Sequence, residues 1–568
     1  MAAHPHPHPH MSESQSPTMH STPRSSITAL DREVQLDEAR METYGGDDPR
    51  EPPTHFNDDV TRTPTPVAST PISEKGKQKA DFVTWDGPDD PSNPQNWTRR
   101  KKWIITIMAS VVTLNVTFAS SSPTATMMQM EPVFGVSAEV SYLVTTVFLL
   151  GYTFGPIVWG PGSEVVGRRP VFVVALTLYT LFILGQPLAK NIETLLITRF
   201  LSAFFASAPL TNCGGMIADI WDPIGRGPAT GLFTACVFLG PVCGPIVSAA
   251  IMQSGVSWHW VYWVMMMFAG VVTVMMIAFF DETYAPVILA KKARKMRKDN
   301  PDSTVMAEHE DQDWDLKALA KRTIYRPFHM LAIEPILLLS TIYLSLVYGV
   351  LYALFQAIPI VFIRVRGFTL FQSSLIFIGV GIGTTLGALI FFFTSRHYPT
   401  LLPKWRGFPP PEQRLFGAMI GGPLMVIGCF WLGWSGHYES VHWAVPAVSV
   451  VLIGMSVSLV FMSFLTYLVE TYLMYAASAL AANAMTRSLV ASCFPLFTTQ
   501  MFTKLGVNWA ATLFGFIALV LAPSPFLFYK YGARIRGMSS FAPCLDLKIA
   551  KQMRAEEDSK GKVGFSQA

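Results

Sequence analysis

The chain has 568 residues, half of them hydrophobic and only 14% charged, and its mean hydropathy is +0.34. An ordinary soluble domain carries about 25% charged residues, so this composition excludes a purely soluble protein and points to a bilayer as the solvent. The net charge of +4 is too weak to suggest nucleic acid as a partner.

Residues 1–97 contain no apolar segment and are rich in Pro, Ser, Thr, His and acidic side chains. Such a stretch cannot bury enough surface to fold, which predicts a disordered tail. The alternating run from His4 to His10 is low complexity, and the intervening prolines disfavour a compact metal site. No apolar h-region follows the start, so no signal peptide is expected. Cys213, Cys236, Cys243, Cys429 and Cys493 fall in apolar runs and Cys544 lies near the C-terminus. Their spacing suggests neither a metal centre nor a cofactor, and they read as free thiols.

From Trp103 onward, apolar stretches of about 20 residues recur, each long enough to cross a hydrocarbon core of about 30 Å. The predicted spans are 103–123, 138–160, 170–189, 194–219, 228–252 and 258–280, then 334–362, 370–394, 414–435, 442–468, 475–502 and 508–529. The fold class that follows is an all-α polytopic membrane protein with twelve transmembrane helices, six in each half. The halves run over 98–280 and 334–530, with a soluble linker at 281–333 and a tail at 531–568. The linker carries Lys291, Lys292, Arg294, Lys295, Arg297 and Lys298, then an acidic patch from Glu308 to Asp315. Basic residues set the orientation. Arg99–Lys102, Arg168, Arg169, Arg226, the linker, Arg396, Lys404, Arg406, Arg414, Lys530, Arg534 and Arg536 fall on one side, and the positive-inside rule makes it cytosolic with both termini. The formal glycosylation sequon Asn96-Trp97-Thr98 then faces the cytosol and stays unmodified.

Ionisable residues inside a span are costly and therefore functional candidates. Arg199 lies in the fourth span and Arg487 near the middle of the eleventh, while Asp219 and Glu470 close the fourth and tenth at their cytosolic ends. Packing against carbonyls is the alternative role for either arginine. Between the second and third spans, Gly160, Glu164, Gly167, Arg168 and Arg169 form a tight, charged turn able to pair with neighbouring helix ends, Asp219 among them, as a two-state gate. In the fifth span, Gly240-Pro241 and Gly244-Pro245 repeat at i, i+4, predicting a thin, kinked helix at a close interface. The seventh span carries Tyr348 and Tyr352 with Phe355 at i, i+4, i+7, beside Gln356 and Pro359. That stripe suits a cavity for a partly apolar ligand, and suits packing equally. Asn115 is a further intramembrane amide.

Together these features resemble the major facilitator superfamily, and within it the fungal twelve-helix drug–proton antiporters, over residues 83–537. The motifs that carry the resemblance begin with Trp85-Asp86-Gly87-Pro88-Asp89-Asp90-Pro91 and Asn93-Pro94-Gln95-Asn96-Trp97. The loop from Gly160 to Arg169, Arg199, and the Gly240-Pro241 and Gly244-Pro245 pairs follow. Asp281–Pro286, Tyr467–Tyr472, Ala476–Ala482 and Arg487-Ser488 complete the set. Ser202 and Ala203 stand where the family's Gln and Gly usually follow Arg199, and Gln356 stands where a glutamate is expected. The resemblance implies the major facilitator fold, two pseudo-symmetric six-helix bundles with substrate held between them near the midplane. It also implies a monomer at the plasma membrane that exports drugs or the cell's own secondary metabolites, with protons as coupling partner.

The leading functional reading is a proton-coupled exporter. Its acids, Glu164, Asp219 and Glu470, all lie toward the cytosol, so proton-independent exchange or facilitated export of an organic acid stays open, as does an importer or transceptor of the same fold. An enzyme is disfavoured, because no span carries paired acids or His/Asp clusters. Two arginines without a deep carboxylate to balance them point to a neutral or anionic cargo.

Overall fold

The computed structural model describes residues 82–222, 225–300, 305–310, 321–405 and 407–553. The histidine run, most of the predicted tail, Arg406 and the acidic residues beyond Glu310 in the linker lie outside them. In the first half the long helices are α1 (Arg99–Ser121), α2 (Ala138–Val165), α3 (Arg168–Leu184), α4 (Ile192–Ile220), α5 (Arg226–Gln253) and α6 (His259–Phe279). The second half holds α7 (Pro335–Pro359), α8 (Phe377–Thr394), α9 (Phe416–His437), α10 (Ala444–Tyr472) and α11 (Ala476–Leu521).

Local chemistry sets the helix starts. The Thr98 hydroxyl accepts from the Lys101 N–H at 3.4 Å to cap α1, and Asn191 Oδ1 accepts from the Thr194 N–H at 3.1 Å to cap α4. Such caps satisfy orphan first-turn donors. Among the described residues, ten stretches are long and apolar enough to cross a membrane. The third predicted span falls short of that length, since α3 has 17 residues. The last two predicted spans merge into one stretch, because α11 runs for 46 residues.

A straight helix of that length would reach about 70 Å. At Gly506, however, φ is 80° and ψ 161°, far from helical values. The rings of Phe494 and Phe514 stack with centroids 5.7 Å apart, where a straight helix would separate them by about 30 Å. The two arms of α11 therefore fold back against each other, and glycine supplies the backbone conformation for the reversal.

The halves repeat one packing motif. Gly151 and Gly155 on α2 let it approach α4 at Ala203 and Ser207, and Gly383 and Gly387 on α8 do the same against α10 at Val451 and Met455. Between the halves, α11 packs along α2 and α5 along α8. Among the described residues, the hydrogen bonds joining the halves run from Gln500 to Glu139 (3.2 Å), Thr146 to the Ser492 carbonyl (3.0 Å), the Phe371 N–H to Gln253 (3.2 Å) and Tyr352 to Ser120 (3.1 Å). All lie toward the helix ends remote from the linker. The halves are thus sealed on that far face.

Residues 82–97 differ from the expected disordered tail. Phe82 bridges Met306, and Val83 packs with Ala290, Ala293 and Ala307. Lys292 Nζ on the linker helix Ala285–Asp299 lies 2.6 Å from Asp86 and 3.8 Å from Asp90. Asp90 also accepts from the backbone N–H groups of Asp86 and Ser92, which holds its carboxyl below the usual range. The acid-rich entry motif thus becomes an ordered clasp on the linker, because its carboxylates meet a lysine and backbone donors that composition does not reveal.

Candidate functional site

The intramembrane candidates fall into two groups. Arg199 is fully buried, and its guanidinium donates to the carbonyls of Ala119, Val144 and Ser120 at 3.0, 3.3 and 3.5 Å. The ring of Phe148 lies 4.0 Å away. These acceptors sit at the end of α1 and in α2, so Arg199 ties α4 to both of its neighbours. Its charge is solvated by backbone dipoles, which removes the need for a bound anion at this position.

Arg487 has different surroundings. Its guanidinium carbon lies 4.8 Å from the Tyr348 ring centroid and 4.9 Å from that of Phe461, and its Nε is buried with no partner. The Tyr348 and Tyr352 hydroxyls are 3.4 Å apart, and Tyr352 donates to Ser120 Oγ of the other half at 3.1 Å. Arg487, Tyr348, Tyr352, Ser120 and Arg199 thus form a continuous polar chain across the boundary between the halves. Gln356 donates to the Pro495 carbonyl at 2.9 Å and keeps an unpartnered Oε1. Asn115 is 1% exposed, with neither amide atom partnered. By helix rise it lies about one and a half turns from Ser120 toward the linker face, near the depth of Tyr348.

On the linker face, the turn before α3 is only partly the cluster that the sequence suggests. Arg168 pairs with Asp219 at 3.2 Å and also donates to Ser163, and its guanidinium carbon lies 5.0 Å from the Tyr284 ring centroid. The Arg169 side chain is exposed. Among the described residues, Glu164 has no ion-pair partner. The acid that organises this turn is Glu282. Its carboxylate accepts from the backbone N–H groups of Arg168 (2.9 Å), Arg169 (3.2 Å), Thr283 and Tyr284 (both 3.1 Å). A carboxylate at a helix N-terminus satisfies orphan donors and complements the dipole. Gly167, at φ 107°, brings the chain so close to Glu282 that a Cβ would collide with its Oε2. Gly160 sits beside Thr211 on α4 with room to spare.

The second half repeats the ion pair. Arg414, just before α9, lies 2.7 Å from Glu470 at the end of α10, and Tyr398 donates to the same carboxylate. Below it, Arg536 is 2% exposed and grips Glu412 and Asp546, each through two N–H groups at 2.7 to 2.9 Å. Glu334 accepts from Tyr472, Ser539 and the Ser540 N–H. Residues 537–553 of the predicted tail therefore fold against this half.

In α5, Gly240 and Gly244 face α1. A Cβ at Gly240 would collide with Thr117 Oγ1 and lie 2.8 Å from the Leu114 carbonyl oxygen and the Phe118 nitrogen. Pro241 and Pro245 are both buried inside the helix. On the opposite side of α5, Val242 abuts Gly381 of α8. This helix is therefore wedged between its own half and the other.

Ser120, Phe461, Glu282 and Arg414 join these sites without a site signal of their own in the sequence. Ser120 is an unremarked serine in an apolar span, Arg414 counted only as an orientation charge, and Glu282 stood inside a family motif without a role.

A family model described as the Major Facilitator Superfamily matches residues 105–495. The chain is 39% identical over 466 residues to the ascochitine biosynthesis cluster MFS transporter of Didymella fabae, covering 82% of this chain and 90% of that one. To the major facilitator superfamily multidrug transporter mdrA of Aspergillus fumigatus it is 40% identical over 471 residues, 82% of this chain and 77% of the relative. Among solved structures, a partially occluded inward-open conformation of the xylose transporter XylE from E. coli matches with a TM-score of 0.55 at 16% identity, covering 76% of this chain and 98% of that one. The human organic anion transporter MFSD10 matches at 0.52 and 13% identity, covering 75% and 99%. At these identities the structural likeness speaks for the fold alone.

Proposed function

This chain belongs to the major facilitator superfamily and is a multi-pass membrane transporter, and we propose that it exports a small organic molecule from the cytosol by alternating access. The observation that carries the reading is the polar chain from Arg487 to Arg199, which lies across the boundary between the halves, whose hydrogen bonds among the described residues gather toward the far face. A binding site between two bodies joined on one side is what alternating access requires. Twelve crossings follow if α3 and both arms of α11 are counted. The basic residues gathered at the linker face support a cytosolic side for both termini and the linker, and we assign the chain to the plasma membrane as a monomer.

In this reading Asn115, Tyr348, Tyr352, Gln356 and Arg487 line the pathway, and Arg199 supports it. Arg168–Asp219 and Arg414–Glu470 form paired gates on the cytosolic side. The cargo is neutral or anionic. Proton antiport is the coupling we assign, with Asp219 and Glu470 as proton carriers. One observation favours proton-independent exchange as a second reading: among the described residues, no carboxylate lies between the two arginines. Inside-out vesicles with an acidic lumen separate the two. Antiport predicts that the gradient drives cargo into the lumen, and exchange predicts uptake only into vesicles preloaded with cargo. Cargo moving solely out of the lumen would overturn export itself.

A further inference from the structure

The two intramembrane arginines are not equivalent. Each of the three guanidinium nitrogens of Arg199 donates to a carbonyl, so it has less left for a ligand. Arg487 is partly exposed, its Nε is buried without a partner, and among the described residues neither a carboxylate nor a carbonyl accepts from it. Its contacts are the rings of Tyr348 and Phe461. An aromatic face steadies the charge of a guanidinium, yet leaves all five N–H donors, directed outward in the plane of the group, without acceptors.

We propose that Arg487 is the anion-binding group of the central site, and that the ligand it selects is a carboxylate carried on an aromatic or apolar body. The planar fork of a guanidinium matches the two oxygens of a carboxylate. The walls for the rest of the ligand are at hand. Tyr348 and Tyr352 stand edge to face at 5.0 Å, and Tyr352 and Phe355 at 5.3 Å. Phe461 meets Phe238 of the other half at 5.4 Å. These aromatic side chains come from both halves, so a ligand seated among them would bias the relative position of the halves. A cationic ligand finds no described carboxylate at this depth. This inference rests on the transporter reading for its location, but equilibrium binding tests it without any transport.

The experiment uses the purified full chain in lipid nanodiscs and three matched probes: 4-butylbenzoate, 4-butylbenzamide and 4-butylbenzylamine. The expected result is benzoate binding about 10-fold or more tighter than the amide, the scale of a charge-assisted hydrogen-bonded pair. R487Q should bring the two within about twofold while amide binding persists, and R487K should keep part of the preference, as a point charge without the fork. An unchanged benzoate-to-amide ratio in R487Q overturns the proposal, and so does a wild type that fails to prefer benzoate or binds none of the three. Where R487Q does not purify as a monodisperse species, R487K decides: a reduced ratio is expected, and an unchanged one overturns. Benzoate that binds through Arg487 but is never moved would sink the exporter reading alone. Transport of amines or amides, indifferent to R487Q, would sink the Arg487 site alone.

Discussion

Replacing Gly240 with alanine tests whether α5 is a rigid wedge between the halves. The added Cβ collides with Thr117 Oγ1, a side-chain atom that can rotate away, but it also meets the Leu114 carbonyl oxygen and the Phe118 nitrogen at 2.8 Å. Those are backbone atoms of α1 and cannot rotate. Restoring an ordinary 3.4 Å contact requires a displacement of about 0.6 Å, and overpacking of this kind typically costs about 1–3 kcal/mol. Moving α5 away from α1 carries Val242 toward α8, the helix of the other half along which α5 packs. The strain therefore reaches the other half, and a shift of about 1.4 kcal/mol changes a two-state ratio tenfold. We expect G240A to lower the thermal transition in nanodiscs and to slow cargo flux at least several-fold. Adding Thr117→Ala should relieve only the side-chain part of the clash and recover little. A G240A protein with unchanged melting and flux would refute the wedge, and full rescue by Thr117→Ala would show that the backbone contacts do not matter.

Arg199→Gln should cost about 2–4 kcal/mol of stability through lost charge-assisted hydrogen bonds, seen as a lower melting temperature, while leaving the benzoate-to-amide ratio unchanged. A stable variant with altered selectivity would contradict the structural role. Glu310 accepts from Arg297 and Arg294 at 2.9 Å, and its carboxyl is held down to about 2 from an ordinary 4.5, chiefly by the Arg297 hydrogen bonds. Its contribution is full above about pH 4.5 and fades as pH falls toward 2. Pepsin cleavage of the linker should rise across that window in the wild type, and E310Q should already be cleaved at its top; identical profiles would refute the clamp. A single cysteine at exposed Lys295 should resist an impermeant thiol reagent in intact cells, and one at exposed Ser254 should label. The reverse pattern would invert the orientation.

Much of the helical framework was legible because bilayer thickness writes a length into every span, and each predicted span falls on a helix. The ends were less legible. The long α11 turns back at Gly506 through one residue's backbone dihedrals, which hydropathy does not record. At the central site, the aromatic stripe of Tyr348 and Tyr352 and both arginines could be read from the chain. Their division of labour could not, because Arg199 is satisfied by carbonyls of α1 and α2, and backbone acceptors leave no mark in sequence. The same holds at the turn before α3, where Glu282 lies more than a hundred residues from the N–H groups it caps. Glu164 carries a motif position but makes no ion pair among the described residues. The Arg536–Glu412–Asp546 cluster lay in what composition reads as loop and tail.

In the proposed cycle, cargo crosses by alternate opening of two halves joined on the far face. Glu139 and Gln500 meet there at 3.2 Å, the first exposed and the second half-buried. Cysteines at these two positions, joined by a short reducible bis-thiosulfonate linker in an otherwise cysteine-free protein, lock that face shut. Alternating access predicts that cargo flux in proteoliposomes stops on cross-linking and returns on reduction, while equilibrium binding of cargo persists throughout. Undiminished flux through the cross-linked protein would contradict it.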